Sequence, residues 1–287
     1  MQCLWDIQGK LEQQSIGTIF GKNHNQIKTY ANFNRSTTDR SPKGIKSRVN
    51  TVLNDGFKLI KFAPFDEVIL GMTSKEIRAA MQPGLERIYI IRETAGSEIG
   101  IMIDCHWRFN YETTIELIKE IEDLNLYWLE CPIPETTDFL LDIKKIRSIA
   151  NSKGIKLAGL EKKILAKDFE SYIKAGAYDF MMPDIKYAGG PDELITIEKL
   201  FNKFNVHFSP HNPSGPVAHA HTLQVCSATN EPALMEYQYK ETNYFDTLLE
   251  KPNPHIINGF SKIPENTFGL GITINELELE KLNRSIK

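Results

Sequence analysis

One short apolar run after another in this chain ends on a side chain that can ionise. In order these are Lys61, Asp104 with His106, Glu130, Glu161, Asp184, His211 and Glu236, spaced by roughly one strand–helix unit each. Asp104, Glu130 and Glu161 come from three consecutive runs and make an all-oxygen set. Three carboxylates converging in a partly dry site repel, and one must protonate unless a cation sits between them. Oxygen donors without Cys or His suit a hard divalent ion, Mg²⁺ ahead of Mn²⁺, whereas zinc would want nitrogen or sulfur. Asp184 and His211 end the next two runs. An aspartate beside a histidine fixes its tautomer and raises its basicity, which makes a proton acceptor. With His106 across the mouth, two histidines on opposite sides of a metal-bound substrate can act as base and acid in turn, and the layout supports proton abstraction beside a metal-bound carboxylate, through an enediolate.

The stretch Ile99–Phe109 shows the pattern in one place, an apolar strand that becomes polar at its end. Alternation along a strand puts Asp104, His106 and Arg108 on one side, with Arg108 a candidate clamp for a substrate carboxylate or hydroxyl. Lys61 is a candidate partner for the substrate carboxylate or for the acids themselves. His207, His219 and His221 read as filler and packing residues. Cys3, Cys105, Cys131 and Cys226 have no paired spacing and read as reduced thiols.

These residues need strands to present them. Apolar runs at 28–32, 59–65, 99–105, 126–131, 156–161, 179–184, 206–211 and 233–238 alternate with helical patterns at 47–53, 74–91, 113–123, 136–148, 166–175, 191–204 and 215–227. Such alternation implies parallel βα units with right-handed crossovers, and it fits an α/β barrel of the TIM type better than an open sheet. The expected division is an N-terminal helical segment over 1–25, a (β/α) barrel over 26–245 and a C-terminal extension over 246–287 wrapping the barrel. Leu4, Ile7 and Leu11 give the first segment a helical spacing, and it is expected to lie on the main body. No G-x-G-x-x-G and no phosphate-binding loop motif follows any strand.

The 287 residues carry a net charge of −3, 41% hydrophobic and 25% charged residues. Nothing in that balance calls for nucleic acid or an anionic membrane surface as a partner. No window approaches the length of a membrane span, and Met1–Lys10 lacks the basic-then-apolar pattern of a signal peptide, so the expected location is cytoplasmic.

The motifs Asp104-Cys-His-Trp-Arg-Phe, Trp128-Leu-Glu-Cys-Pro-Ile-Pro, Leu157-Ala-Gly-Leu-Glu, Met182-Pro-Asp-Ile-Lys-Tyr-Ala-Gly-Gly, Ser209-Pro-His-Asn-Pro-Ser-Gly-Pro and Met235-Glu-Tyr-Gln together resemble the enolase superfamily. Within it they resemble the mandelate racemase-like acid-sugar dehydratases, over nearly the whole chain. The resemblance implies a modified (β/α)7β barrel, Mg²⁺ ligands at Asp104, Glu130 and Glu161, and a His211–Asp184 base. It also implies that Glu236 bonds to the substrate carboxylate, and that a sugar acid is dehydrated to a 2-keto-3-deoxy acid.

Two departures from the family shape that expectation. Racemases and cycloisomerases of the family carry K-x-K at the second strand, and here the second lysine position is Ala63; Lys58 is three residues from Lys61 and so on the opposite face. The Asp104–His106 pair instead resembles galactonate-type and mannonate-type dehydratases, where that histidine protonates the departing hydroxyl. A racemase or cycloisomerase using one base is the alternative. Family members also carry an N-terminal capping domain, whereas this sequence opens on what resembles the helix following it. The expectation is that the cap is missing or lies on a separate polypeptide, leaving an inactive remnant or a barrel that needs the cap in trans. Apolar surface uncovered in this way favours a homo-oligomer.

Overall fold

Runs rich in Ile, Leu, Met and Phe become strands here because such side chains fill a pleated surface that is covered on both faces. The computed structural model describes residues 1–251 and 256–285. The barrel strands are β1 (Gln26–Asn32), β2 (Leu59–Phe62), β3 (Gly100–Asp104), β4 (Trp128–Glu130), β5 (Lys156–Gly159), β6 (Phe180–Met181), β7 (His207–Phe208) and β8 (Leu234–Gln238). Neighbours from β1 to β7 pair in parallel and in sequence order, and β8 returns to pair with β1 from Lys28↔Leu234 to Asn32↔Gln238. Among the described residues β7 and β8 share no backbone ladder, and side chains bridge them instead. Ser209 Oγ donates to the Leu234 carbonyl at 2.6 Å, and the Asn212 N–H donates to Glu236 Oε2 at 2.7 Å. The order is that of the expected (β/α)7β barrel.

Helices α1 (Gln2–Leu11) and α2 (Ile16–Ile19) precede β1, and α3 (Pro42–Asn54) follows it. Two helices, α4 (Ser74–Ala80) and α5 (Gln82–Ala95), occupy the span where the pattern predicts one. The break falls at Met81, just before Pro83, which has no N–H to continue a helical ladder. Strands β3 to β7 are followed in turn by α6 (Tyr111–Ile121), α7 (Leu140–Ser152), α8 (Ala166–Ala175), α9 (Pro191–Lys203) and α10 (Pro216–Ser227). In the 246–287 extension, of which 252–255 and 286–287 lie outside the described residues, β9 (Ile256–Ile257) and β10 (Phe260–Lys262) form a hairpin. It pairs antiparallel with the start of β1 at Gln26–Lys28, at the end of the barrel away from the ionisable residues. Short α11 (Tyr244–Thr247) leads into that extension and α12 (Glu276–Ser285) closes it.

The N-terminal helix docks, but not by the predicted stripe. Leu4, Ile7 and Leu11 are 61%, 52% and 75% exposed. Trp5 Nε1 donates to Asp192 Oδ1 at 3.0 Å, Gln2 Nε2 to the Ile185 carbonyl at 2.8 Å, and Gly9 packs so closely that a Cβ there would meet Gly269 Cα at 2.7 Å. These contacts turn the Trp5–Gly9 face inward.

Two apolar layers hold the barrel. The larger lies between helices and strands. The smaller fills the barrel itself and includes Tyr30, Leu59, Met102, Trp128, Phe180 and Leu234. Because successive side chains alternate, the residue two positions after an inward apolar one also points inward, one layer higher. Leu59, Met102, Trp128 and Leu234 are therefore followed in that layer by Lys61, Asp104, Glu130 and Glu236.

Candidate active site

Lys61 is the pivot of the upper layer. Its Nζ lies 2.7 Å from Glu130 Oε1 and 2.8 Å from Glu236 Oε1, 5.4 Å above the Tyr30 ring, and the residue is 1% exposed. Burial works to lower the Lys61 pKa, but the two facing carboxylates win and raise it well above the usual lysine value. Glu130 takes its second hydrogen bond from Trp128 Nε1 at 3.0 Å. Burial and the nearby Asp104 and Glu236 charges push its carboxyl up against the pull of Lys61. Glu236 is better served: Asn32 Nδ2 donates to Oε1 at 2.8 Å and the Asn212 N–H to Oε2 at 2.7 Å. Burial would raise its pKa, yet Lys61, His211 and these hydrogen bonds hold it down.

Asp104 stands beside Glu130 in the β3–β4 register. Its Oδ1 accepts the His106 N–H at 2.9 Å and its Oδ2 lies 2.8 Å from His106 Nε2. Burial opposes ionisation here too, but the charge and hydrogen bonds of His106, with Lys61 behind, lower the carboxyl to about 2. The same Asp104 charge raises the His106 pKa.

Glu161, Asp184 and His211 are not strand residues, although the apolar runs predict strands reaching them. Strands β5, β6 and β7 stop at 159, 181 and 208. Leu160 takes φ 74°, and Pro183 and Pro210 have no N–H to give a ladder. The loops still converge. His211 Nδ1 lies 2.8 Å from Asp184 Oδ2, and its Nε2 lies 3.1 Å from Glu161 Oε2. Asp184 is fixed in turn by the Lys186 N–H on Oδ1 at 2.8 Å and by Lys186 Nζ 3.4 Å from Oδ2. Burial would lower the His211 pKa, but Asp184, Glu236 and Glu161 raise it. Glu161 is raised by burial, partly offset by His211.

A cavity of about 310 Å³ opens above this layer. Lys61, Asp104, His106, Glu161 and His211 line it, together with Ala63 at the position where a second lysine would stand. Glu130, Glu236 and Asp184 lie beneath or behind the wall. Arg108 is not brought to the cavity: its guanidinium donates to the Phe65 carbonyl. Strand alternation does not extend to it, because His106 and Trp107 take φ 49° and 58° and the chain turns away. Asn32, Asn34, Arg35, Lys186 and Tyr187 also line the cavity, and reading the strand ends for ionisable residues passes them by. The amides carry no charge, and the two cations fall in loops. Their spacing was the available signal, since Asn32 and Asn34 repeat every second residue and Lys186 follows Asp184 by two.

The donor set suits a hard divalent ion, since Asp104, Glu130 and Glu161 offer oxygen alone. As they stand, no three His, Cys, Asp or Glu residues among those described are gathered to hold a metal ion. The three acids are instead paired separately with His106, Lys61 and His211, the arrangement that like charges adopt when each turns to its nearest cation.

Known proteins resemble the chain over this whole region. The model of the enolase C-terminal domain-like family matches residues 45–278. D-gluconate dehydratase of Thermoproteus tenax is 28% identical over 286 residues, which cover 97% of this chain and 54% of that protein. D-galactonate dehydratase of Xanthomonas campestris pv. campestris (strain B100) is 29% identical over 292 residues, covering 99% and 72%. The chain thus spans between about half and three-quarters of the length of these two relatives. Among solved structures, L-talarate/galactarate dehydratase of Salmonella typhimurium LT2, liganded with Mg and L-lyxarohydroxamate, superposes with a TM-score of 0.76 at 21% identity. That likeness covers 97% of this chain and 64% of the other, and it shows a shared fold.

Proposed function

Since the chain belongs to the enolase C-terminal domain-like family, we propose that the barrel mouth is the active site of a Mg²⁺-dependent acid-sugar dehydratase. Such a hydro-lyase converts an aldonate or aldarate to a 2-keto-3-deoxy acid. The observation that carries this reading is the His211–Asp184 pair opening, with His106, on one polar cavity. The two relatives named for gluconate and galactonate dehydration support the substrate class.

Asp184 accepts from His211 Nδ1, so Nε2, 3.1 Å from Glu161 Oε2, is the nitrogen that takes the proton α to the substrate carboxylate once Glu161 releases it. His106 gives a proton to the hydroxyl on the neighbouring carbon, which leaves as water. The resulting enol then becomes the 2-keto acid. Ala63 supplies no second base on the wall, which favours elimination over two-base racemisation. Asp104, Glu130 and Glu161 would hold Mg²⁺, which when bound polarises the substrate carboxylate as a Lewis acid. Lys61 fixes Glu130 and Glu236 beneath the cavity and pulls both towards their charged forms, a pull that prevails at Glu236. Lys61 and Glu236 are assigned to the substrate carboxylate side of the mouth.

Incubation with Mg²⁺ and a panel of aldonic and aldaric acids tests the reading, with 2-keto acid formation as the readout. At least one acid should be dehydrated. A folded protein that binds Mg²⁺ yet yields keto acid from none of the panel would overturn the proposal.

A further inference from the structure

The three strand ends that carry Asp104, Glu130 and Glu161 share an unusual backbone feature. His106 (φ 49°) and Trp107 (φ 58°) follow β3, Cys131 (φ 45°) follows β4, and Leu160 (φ 74°) follows β5. None is glycine. Left-handed conformations at such residues persist only where the surroundings impose them. Backbone joins the first two turns, through Trp107 N–H to the Cys131 carbonyl at 2.6 Å, and ties the second to strand β5, through Cys131 N–H to the Ala158 carbonyl at 3.0 Å.

One carboxylate reaches all three. Glu135 Oε1 accepts from the Leu160 N–H at 2.7 Å, from the Tyr178 hydroxyl at 2.9 Å and from the Cys131 thiol at 3.7 Å. The Trp107 side chain lies near enough to the same carboxylate to favour its charged form, and the turn bearing it is tied to Cys131 through the backbone. The loop bearing Glu135 is itself tied down, because its carbonyl accepts from Tyr172 Oη at 2.7 Å and Lys163 Nζ at 3.1 Å. Gly159 makes the approach possible: a Cβ there would overlap Glu135 Oε1 and meet Tyr178 Cε1 at 2.8 Å.

We propose that Glu135 is a positioning residue whose carboxylate holds the three turns presenting Asp104 with His106, Glu130 and Glu161, and thereby sets the divalent-cation affinity of the mouth. The cation part rests on the function proposed above; the coupling of the three turns stands on the geometry alone. Glutamine at 135 keeps the size of the side chain and an oxygen for Leu160 and Tyr178, but it loses the charge that strengthens those bonds and puts an NH2 donor in place of the second carboxylate oxygen.

The test compares the wild-type chain with Glu135→Gln by amide hydrogen exchange without metal and by calorimetric titration with Mg²⁺. Exchange in segments 105–109, 131–135 and 159–163 should rise together, and Mg²⁺ affinity should fall at least tenfold. Gly159→Ala, which crowds the same carboxylate, should loosen the same three segments. Loosening confined to 131–135, or Mg²⁺ affinity within twofold of a wild type that binds the ion, overturns the proposal. If the wild type binds no Mg²⁺ while all three segments loosen together, the metal-dependent function fails and the positioning role stands. Should Glu135→Gln and Gly159→Ala both fail to fold, Tyr178→Phe is measured in their place. Failure of all three to fold assigns Glu135 to general stability and also overturns the proposal.

Discussion

The Nδ1 atom of His211 lies 2.8 Å from Oδ2 of Asp184, across the loops that follow β7 and β6. This contact fixes which imidazole nitrogen faces the cavity, and it does so with a carboxylate that is itself 0% exposed. Asp184→Asn should keep the geometry while removing the charge that stabilises the imidazolium. Turnover should fall by about a hundredfold or more, with the melting temperature nearly unchanged. A loss under threefold would remove Asp184 from the base.

The two histidines can be separated by isotope exchange. His211→Asn should abolish both dehydration and solvent deuterium uptake at C2. His106→Asn should abolish dehydration and leave exchange at C2 in place, because the base is intact and only the donor to the departing hydroxyl is gone. Equal loss of both reactions in His106→Asn would contradict the division of roles.

Lys61 stands between two fully buried carboxylates, and its removal leaves both without their cation. Lys61→Met keeps the stem and should destabilise the fold by about 3–5 kcal/mol, measured by urea unfolding. Adding Glu130→Gln and Glu236→Gln should recover part of that loss, since neutral amides tolerate the dry site better. A cost below about 1 kcal/mol would show that water reaches these charges.

His219 and His221 on α10 are kept neutral by burial, which pushes their pKa values down to about 3 and about 4. The unfolded chain takes up protons on both below about pH 6.5, and the folded one does not until much lower. The contribution of these two groups is therefore complete above about pH 6.5 and drains as pH falls towards 4, by about 1.4 kcal/mol per unit for each group. Urea midpoints measured from pH 7.5 to 5 should show the slope, and His219→Leu should flatten it. Parallel curves for the two proteins would argue against this origin.

Much of the site was readable because strand alternation is strict. Lys61, Asp104, Glu130 and Glu236 each follow an inward apolar residue by two, so charge placed at strand ends stands in one layer, with Lys61 and Asp104 on the cavity wall and Glu130 and Glu236 beneath it. The same rule failed at Arg108, where two left-handed residues redirect the chain towards Phe65. Helical spacing misled at α1, where the stripe of Leu4, Ile7 and Leu11 faces outward because Trp5 and Gly9 have specific partners on the body.

What the sequence determined by itself was the alternation of elements, the barrel they close into, and which side chains stand at one end of it. Local periodicity encodes these, and each strand carries its own share. Only the tertiary structure decided how those side chains pair: Lys61 shared between Glu130 and Glu236, His211 held between Asp184 and Glu161, and Glu135 spanning three turns. Such partners lie on different strands and loops, and their choice depends on distances and burial that no single stretch of chain contains.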